Sequence, residues 1–130
     1  MKTRLTLFLF VFSLTLVNAQ RDVSPSILNA LQKGDAVAVS VFFNENIELI
    51  IGQVNDVFSK KQATGILADF FRRNKIGSFS IIHRGNKENS AFSICSMQAG
   101  GASYRVYVLV RTTDNHQLIQ QLRIELTNDQ

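Results

Sequence analysis

A single cysteine, Cys95, and a single proline, Pro25, stand in a chain of 130 residues that has no tryptophan. One thiol forms no internal disulfide, so the stability of the fold has to come from its core. Cys95 lies in the strand-like run Phe92-Ser93-Ile94-Cys95-Ser96-Met97 and reads as a small buried hydrophobe. Two histidines and one cysteine at wide spacing make no zinc motif, and no cofactor is expected. Basic runs stop at two residues, so no nucleic-acid footprint is present. Gly100-Gly101 has no helix after it and is no phosphate loop, and no nucleophile elbow appears.

The long apolar run is at the start. Lys2 and Arg4 precede Leu5–Val17, and Val17-Asn18-Ala19 supplies a small-residue cleavage pattern before Gln20. Residues 1–19 therefore read as a signal peptide, too short for a membrane span of about 20 apolar residues. No cysteine stands at the cleavage position to carry a lipid anchor. The expected product, residues 20–130, is a single exported domain, periplasmic or secreted, with no stable membrane anchor. Lys2 and Arg4 leave with the leader, so 12 basic residues face 10 acidic ones and the high pI overstates the charge.

The clearest period runs from Phe58 to Asn74. Ala63, Ile66, Leu67, Phe70 and Phe71 form one apolar stripe on a 3.6-residue repeat. Ser59 and Gln62 make a capping box, and Arg72, Arg73 and Lys75 gather where the helix dipole favours cations. Gly65 costs about 1 kcal/mol against alanine inside a helix, and a close neighbouring backbone is the expected reason for it.

Before this helix, Ser24-Pro25 opens a first helix with Ile27, Leu28 and Leu31 on one face. Gly34 ends it, and Asp35 caps a second segment, Ala36–Phe43. There Val37, Val39 and Val41 alternate like a strand, but the cap and the tight junction favour helix. Asn44-Glu45-Asn46 reads as a turn, Ile47–Ile51 as a short strand ending at Gly52, and Gln53–Phe58 as a second extended piece. After Gly77 the period becomes two. Strands are predicted over Phe79–Arg84, Ala91–Gln98, Tyr104–Arg111 and Leu118–Leu126, with turns at 85–89, 100–101 and 114–115. Leu118, Leu122, Ile124 and Leu126 are assigned to the core face of the last strand. The class is α+β: three N-terminal helices packed on a curved antiparallel sheet.

Helix, helix, strand, helix and then four antiparallel strands resembles the nuclear transport factor 2-like superfamily, the cystatin-like cone. Gly34-Asp35, Phe43-Asn44-Glu45-Asn46-Ile47-Glu48-Leu49 and the helix ending Phe70-Phe71 carry the resemblance over nearly all of the mature chain. Within it, the chain is similar to a secreted bacterial family catalogued as domain of unknown function 4783, whose label implies no activity. The superfamily implies a cone-shaped cavity, where isomerases, cyclases and dehydratases place Asp, His or Tyr. Tyr104, Gln120 and Phe70 are the residues assigned to such a cavity, Phe70 having core packing as its plainer role.

Asp69 and His83 are the one acid–base pairing on offer, weighed against a solvated helix aspartate and a strand-edge histidine. The isomerase pattern of acidic base, second acid and tyrosine has no counterpart here. The resemblance also implies dimerisation through the outer sheet face. On that face Arg105, Tyr107, Leu109 and Arg111 are expected opposite Gln117, Ile119, Gln121 and Arg123, a mixed basic and apolar surface suited to a homodimer or an acidic partner. Three functions stay open: a binding or self-associating module for a small molecule or protein, a cavity enzyme, and a structural accessory of the cell envelope.

Overall fold

Residues 22–127 are described by a computed structural model. The leader read over 1–19, with its cleavage position, lies outside them. The elements are α1 (Pro25–Lys33), α2 (Ala36–Ser40), β1 (Phe43–Ile51), β2 (Val54–Ser59), α3 (Lys60–Arg73), β3 (Ile76–Lys87), β4 (Ser90–Ala99), β5 (Ala102–Thr113) and β6 (His116–Leu126). The strands form one sheet in the order β2-β1-β6-β5-β4-β3.

Local signals explain the helices. Pro25 sits in the first turn of α1, and Gly34 closes it in the left-handed region at φ 64°, which glycine enters without a Cβ penalty. Asp35 then caps α2, accepting the Ala38 N–H at 3.0 Å. At α3 the Ser59 hydroxyl accepts the Gln62 N–H at 3.2 Å, and the Gln62 side chain accepts the Ser59 N–H at 3.3 Å. The predicted capping box is complete.

Gly65 departs from expectation. No atom comes within 4 Å of the position its Cβ would take, so no close backbone requires a glycine there. It stands exposed in mid-helix.

Two expectations before α3 need correction. Only Ala36–Ser40 of the segment read as a helix over 36–43 is helical. Asn44-Glu45-Asn46, read as a turn, belongs to β1, which starts at Phe43. The reason is a distant partner. β1 pairs in parallel with β6, Leu49 opposite Leu122 and Ile51 opposite Ile124, and the Ile119 N–H donates to the Phe42 carbonyl at 2.6 Å. The sheet is therefore mixed rather than wholly antiparallel. Two helices precede β1, and the third follows β2.

Of the turns read after α3, the one over 85–89 is shorter than expected. Gly85, Asn86 and Lys87 pair with Phe92, Ala91 and Ser90 and belong to β3, leaving Glu88 and Asn89 as the connection. The other two follow the turn chemistry in the sequence. Gly100 and Gly101 have φ of 56° and 78°, and Asp114 and Asn115 have 50° and 62°, the paired positive φ values that suit two-residue connections. Asp and Asn tolerate that region better than most residues.

The core lies between one sheet face and the helices. Ala63, Leu67, Phe70 and Phe71 of α3 and Ile27 and Leu31 of α1 meet Leu49, Cys95, Met97, Val106, Val108 and Leu122. Phe70 contacts Phe71 and Tyr104 edge-on, with centroids 5.8 and 5.3 Å away.

β6 holds a correction with consequences for the surface. The β5–β6 register shifts between Leu109 and Val110, leaving Gln120 as an extra residue, a β-bulge. The bulge slips the alternation. Ile119, expected on the outer face, is 0% exposed in the core opposite Val110, and Leu118 takes the opposite face beside Arg111. A second bulge lies in the edge strand β3, between Ile81 and His83.

Leu67 is wholly buried and Phe70 nearly so. Leu67→Ala or Phe70→Ala should destabilise by about 2–5 kcal/mol, whereas exposed Lys60→Ala should cost less than about 0.5 kcal/mol. Gly65→Ala should instead stabilise, by up to about 1 kcal/mol. Denaturant melts of the four variants check the order.

Burial pushes the Cys95 thiol up from 9.0 to about 11. The thiol of the unfolded chain ionises first, so the stabilising contribution is complete below pH 9 and is lost as pH rises towards 11. Cys95→Ser should flatten that alkaline fall in urea midpoints. A thiol-specific dye should label the native protein at pH 8 only at the rate of unfolding.

Candidate functional site

The outer face of the sheet, away from the helices, is laid out in cross-strand rows. One row runs Glu48, Gln121, Leu109, Phe92. The next runs Ile50, Arg123, Tyr107, Ile94, His83, and a third runs Glu125, Arg105, Ser96. β5 supplies the middle of each row because its strict alternation buries Val106, Val108 and Val110 and turns Arg105, Tyr107, Leu109 and Arg111 outward.

The centre of this face is aromatic. Phe92 and Tyr107 stack with centroids 6.0 Å apart and planes 25° off parallel. The Arg123 guanidinium carbon lies 5.9 Å from the Tyr107 centroid, at the limit of cation–π range, and its Nε reaches Glu125 at 3.0 Å. Ile50, Ile94 and Leu109 are half-buried around the pair, and Val57 of β2, opposite Glu48, is 61% exposed. Phe92 also covers Gly85, where an added Cβ would stand 2.5 Å from the ring edge.

Phe92, Ile94 and Ile50 are the members of this patch that sequence reasoning missed. Their signal was the alternation with buried Ala91, Ser93, Cys95 and Leu49. Arg105, Tyr107, Leu109, Arg111 and Arg123 lie on the outer face as read from the sequence, and Ile119 does not.

The inner candidates separate. Tyr104 is half-buried against Phe70, but Gln120 is at the bulge, six residues along β6 from the Tyr104 partner Leu126, or about 20 Å at the rise of a strand. There it accepts the Asn44 amide at 3.3 Å. Asp69 is bound by cations of its own helix, pairing with Arg72 and, at 2.8 Å, with Arg73. His83 is exposed on the outer face opposite Ile94. The structure does not bring Asp69 and His83 together. Among the described residues no three His, Cys, Asp or Glu side chains converge on a point that could hold a metal ion.

Gln117, assigned to the outer face from the sequence, instead pins the entry to α1. Its side-chain oxygen accepts the Ser24 N–H and its nitrogen donates to the Asp22 carbonyl, both at 2.7 Å. Asp22 in turn accepts from Asn86 at 2.8 Å, with Arg84 at 4.0 Å.

This architecture is that of the nuclear transport factor 2-like proteins. A ketosteroid isomerase-like protein from Erwinia carotovora atroseptica superposes with a TM-score of 0.64 over 80% of this chain and 90% of that one, at 14% identity, a likeness of fold. The family described as Domain of unknown function (DUF4783) matches residues 24–125, and the chain belongs to it. Two crystal structures of that family are similar throughout. The protein from Bacteroides uniformis is 28% identical with a TM-score of 0.78, covering 83% of this chain and all of its own. The protein from Bacteroides fragilis is 29% identical with a TM-score of 0.76, covering 82% and 100%. A comparison with curated proteins found no match.

Gly85→Ala should push the Phe92 ring off Tyr107 without unfolding the chain, since residue 85 has an ordinary φ. Ring-proton NMR shifts of Tyr107, one of two tyrosines, would report it. Unchanged shifts would mean that the ring does not cover Gly85.

Proposed function

We propose that this protein is an exported binding module that pairs with a second copy of itself through the outer face of its sheet. The observation that carries the reading is the aromatic and aliphatic centre of that face, Phe92, Tyr107, Ile94, Leu109 and Ile50, ringed by charges of both signs. Interfaces concentrate Tyr, Phe and Arg over a core poor in other charges. Arg105 and Arg111 on β5 and Arg123 on β6 share the face with Glu48 on β1 and Glu125 on β6, the mixture of signs that a self-complementary two-fold interface can pair.

The size is adequate. Strands about 4.8 Å apart, some 30–40 Å long except for the shorter β2 at about 20 Å, present roughly the 800 Å² per partner of a standard interface. Export to the periplasm or medium is read from the leader over residues 1–19. No helix among the described residues is long and apolar enough to cross a membrane.

Protein recovered from the culture medium or periplasm should begin at Gln20, or its cyclised form, by mass spectrometry. It should sediment as a dimer. Leu109→Glu with Arg111→Glu should leave the melt cooperative and produce monomer, because an unpaired charge buried at an interface costs several kcal/mol. A wild-type monomer at high concentration would overturn self-pairing, and an intact Met1 would overturn export.

A further inference from the structure

The helical layer carries a groove that the outer face does not explain. It has a volume of about 690 Å³ and runs between α3 and the β1–β2 hairpin, within the range of small-molecule sites. Ile51 and Val54 from the hairpin, with Phe58, Ile66 and Phe70 from β2 and α3, give it an apolar lining. At the middle of its helical wall is Gly65. That glycine has open space where a side chain would project and no close backbone that demands it, and any larger residue would enter the groove. Its cost to the helix is left unexplained by packing.

The rim is charged with one sign in excess. Lys61 and Arg73 border the groove twelve residues apart on α3, about 18 Å at the rise of an α-helix, long enough to hold an extended alkyl chain of about a dozen carbons. Asp69, which also lines the groove, is engaged by Arg72 and Arg73. Lys61 has no ion-pair partner among the described residues. A ligand lying along α3 thus meets hydrocarbon over its length and an uncompensated cation at the Lys61 end.

We propose that this groove binds a single-chain anionic amphiphile, its alkyl chain lying over Gly65 and Ile66 and its carboxylate paired with Lys61. Apolar contact supplies the affinity, and the exposed lysine selects the sign of the headgroup, as rim charges do. This reading stands independently of pairing through the outer face, because no groove residue belongs to that face.

Titration calorimetry of the mature protein with dodecanoate, below its micelle concentration, tests the proposal. Wild type should bind one molecule per chain, and Gly65→Leu, which removes a helix-interior glycine, should abolish binding while folding at least as stably. Lys61→Gln should weaken dodecanoate about tenfold, the loss of one charge-assisted contact, and leave dodecanol unchanged. The Leu109→Glu, Arg111→Glu variant should bind as wild type does. Absence of saturable binding, or undiminished binding by Gly65→Leu, would overturn the site. Equal binding of dodecyltrimethylammonium would overturn the assigned headgroup, and loss of binding in the outer-face variant would place the ligand on that face.

Discussion

The seating of α3 on the inner face of the sheet is the contact on which the rest of the fold depends. Four strands joined by two-residue turns have one apolar face that water must not reach, and α3 is the longest cover available. Its stripe of Ala63, Leu67, Phe70 and Phe71 reaches strands early and late in the chain at once. Gly34, at the end of α1, lies against Phe71 and Ile76, so the first helix is located by the third. At the same C-terminal end of α3, the Asn74 side chain donates to the Phe70 carbonyl at 2.9 Å and crowds the space above Gly100. The helix thereby also positions the β4–β5 hairpin.

The division of the sheet into a packed face and a free face follows from that seating, but not from alternation alone. Along β5 the period of two is unbroken, and the exposed residues are those that a count by twos assigns. Along β6 the extra residue at Gln120 shifts the phase, so Ile119 and Leu122, three apart, are both buried. The bulge lets β6 satisfy two neighbours, β5 on one side and the parallel β1 on the other, whose register is itself irregular between Phe43 and Glu48. Both irregularities fall in the same stretch of sheet.

What was legible in the sequence was whatever rests on nearby residues. The capping box at Ser59, the Gly34-Asp35 junction and the hairpins at 100–101 and 114–115 each depend on chemistry within a few positions, and each was readable. The β1–β6 pairing joins residues some seventy positions apart and leaves no local mark, so Phe43–Asn46 was read as the end of a helix and a turn. Ile119 was misplaced for a related reason: a bulge is a relation between two strands, and one strand read alone does not reveal it. The candidate site was legible where β5 supplies it. Phe92, Ile94 and Ile50 became visible as one patch only after the register set them side by side, and Gly65 acquired meaning only once its expected neighbour proved to be empty space.

The two edges of the sheet decide how the molecule can grow. β3 ends one side as a strand of twelve residues, long enough to template another chain, yet its ladder is broken between Ile81 and His83 and flanked by Arg84 and Lys87. β2 ends the other side with six residues, among them Asn55 and Asp56. Short, charged or bulged edges discourage strand addition. The molecule is thereby directed away from edge-to-edge aggregation and open-ended fibres.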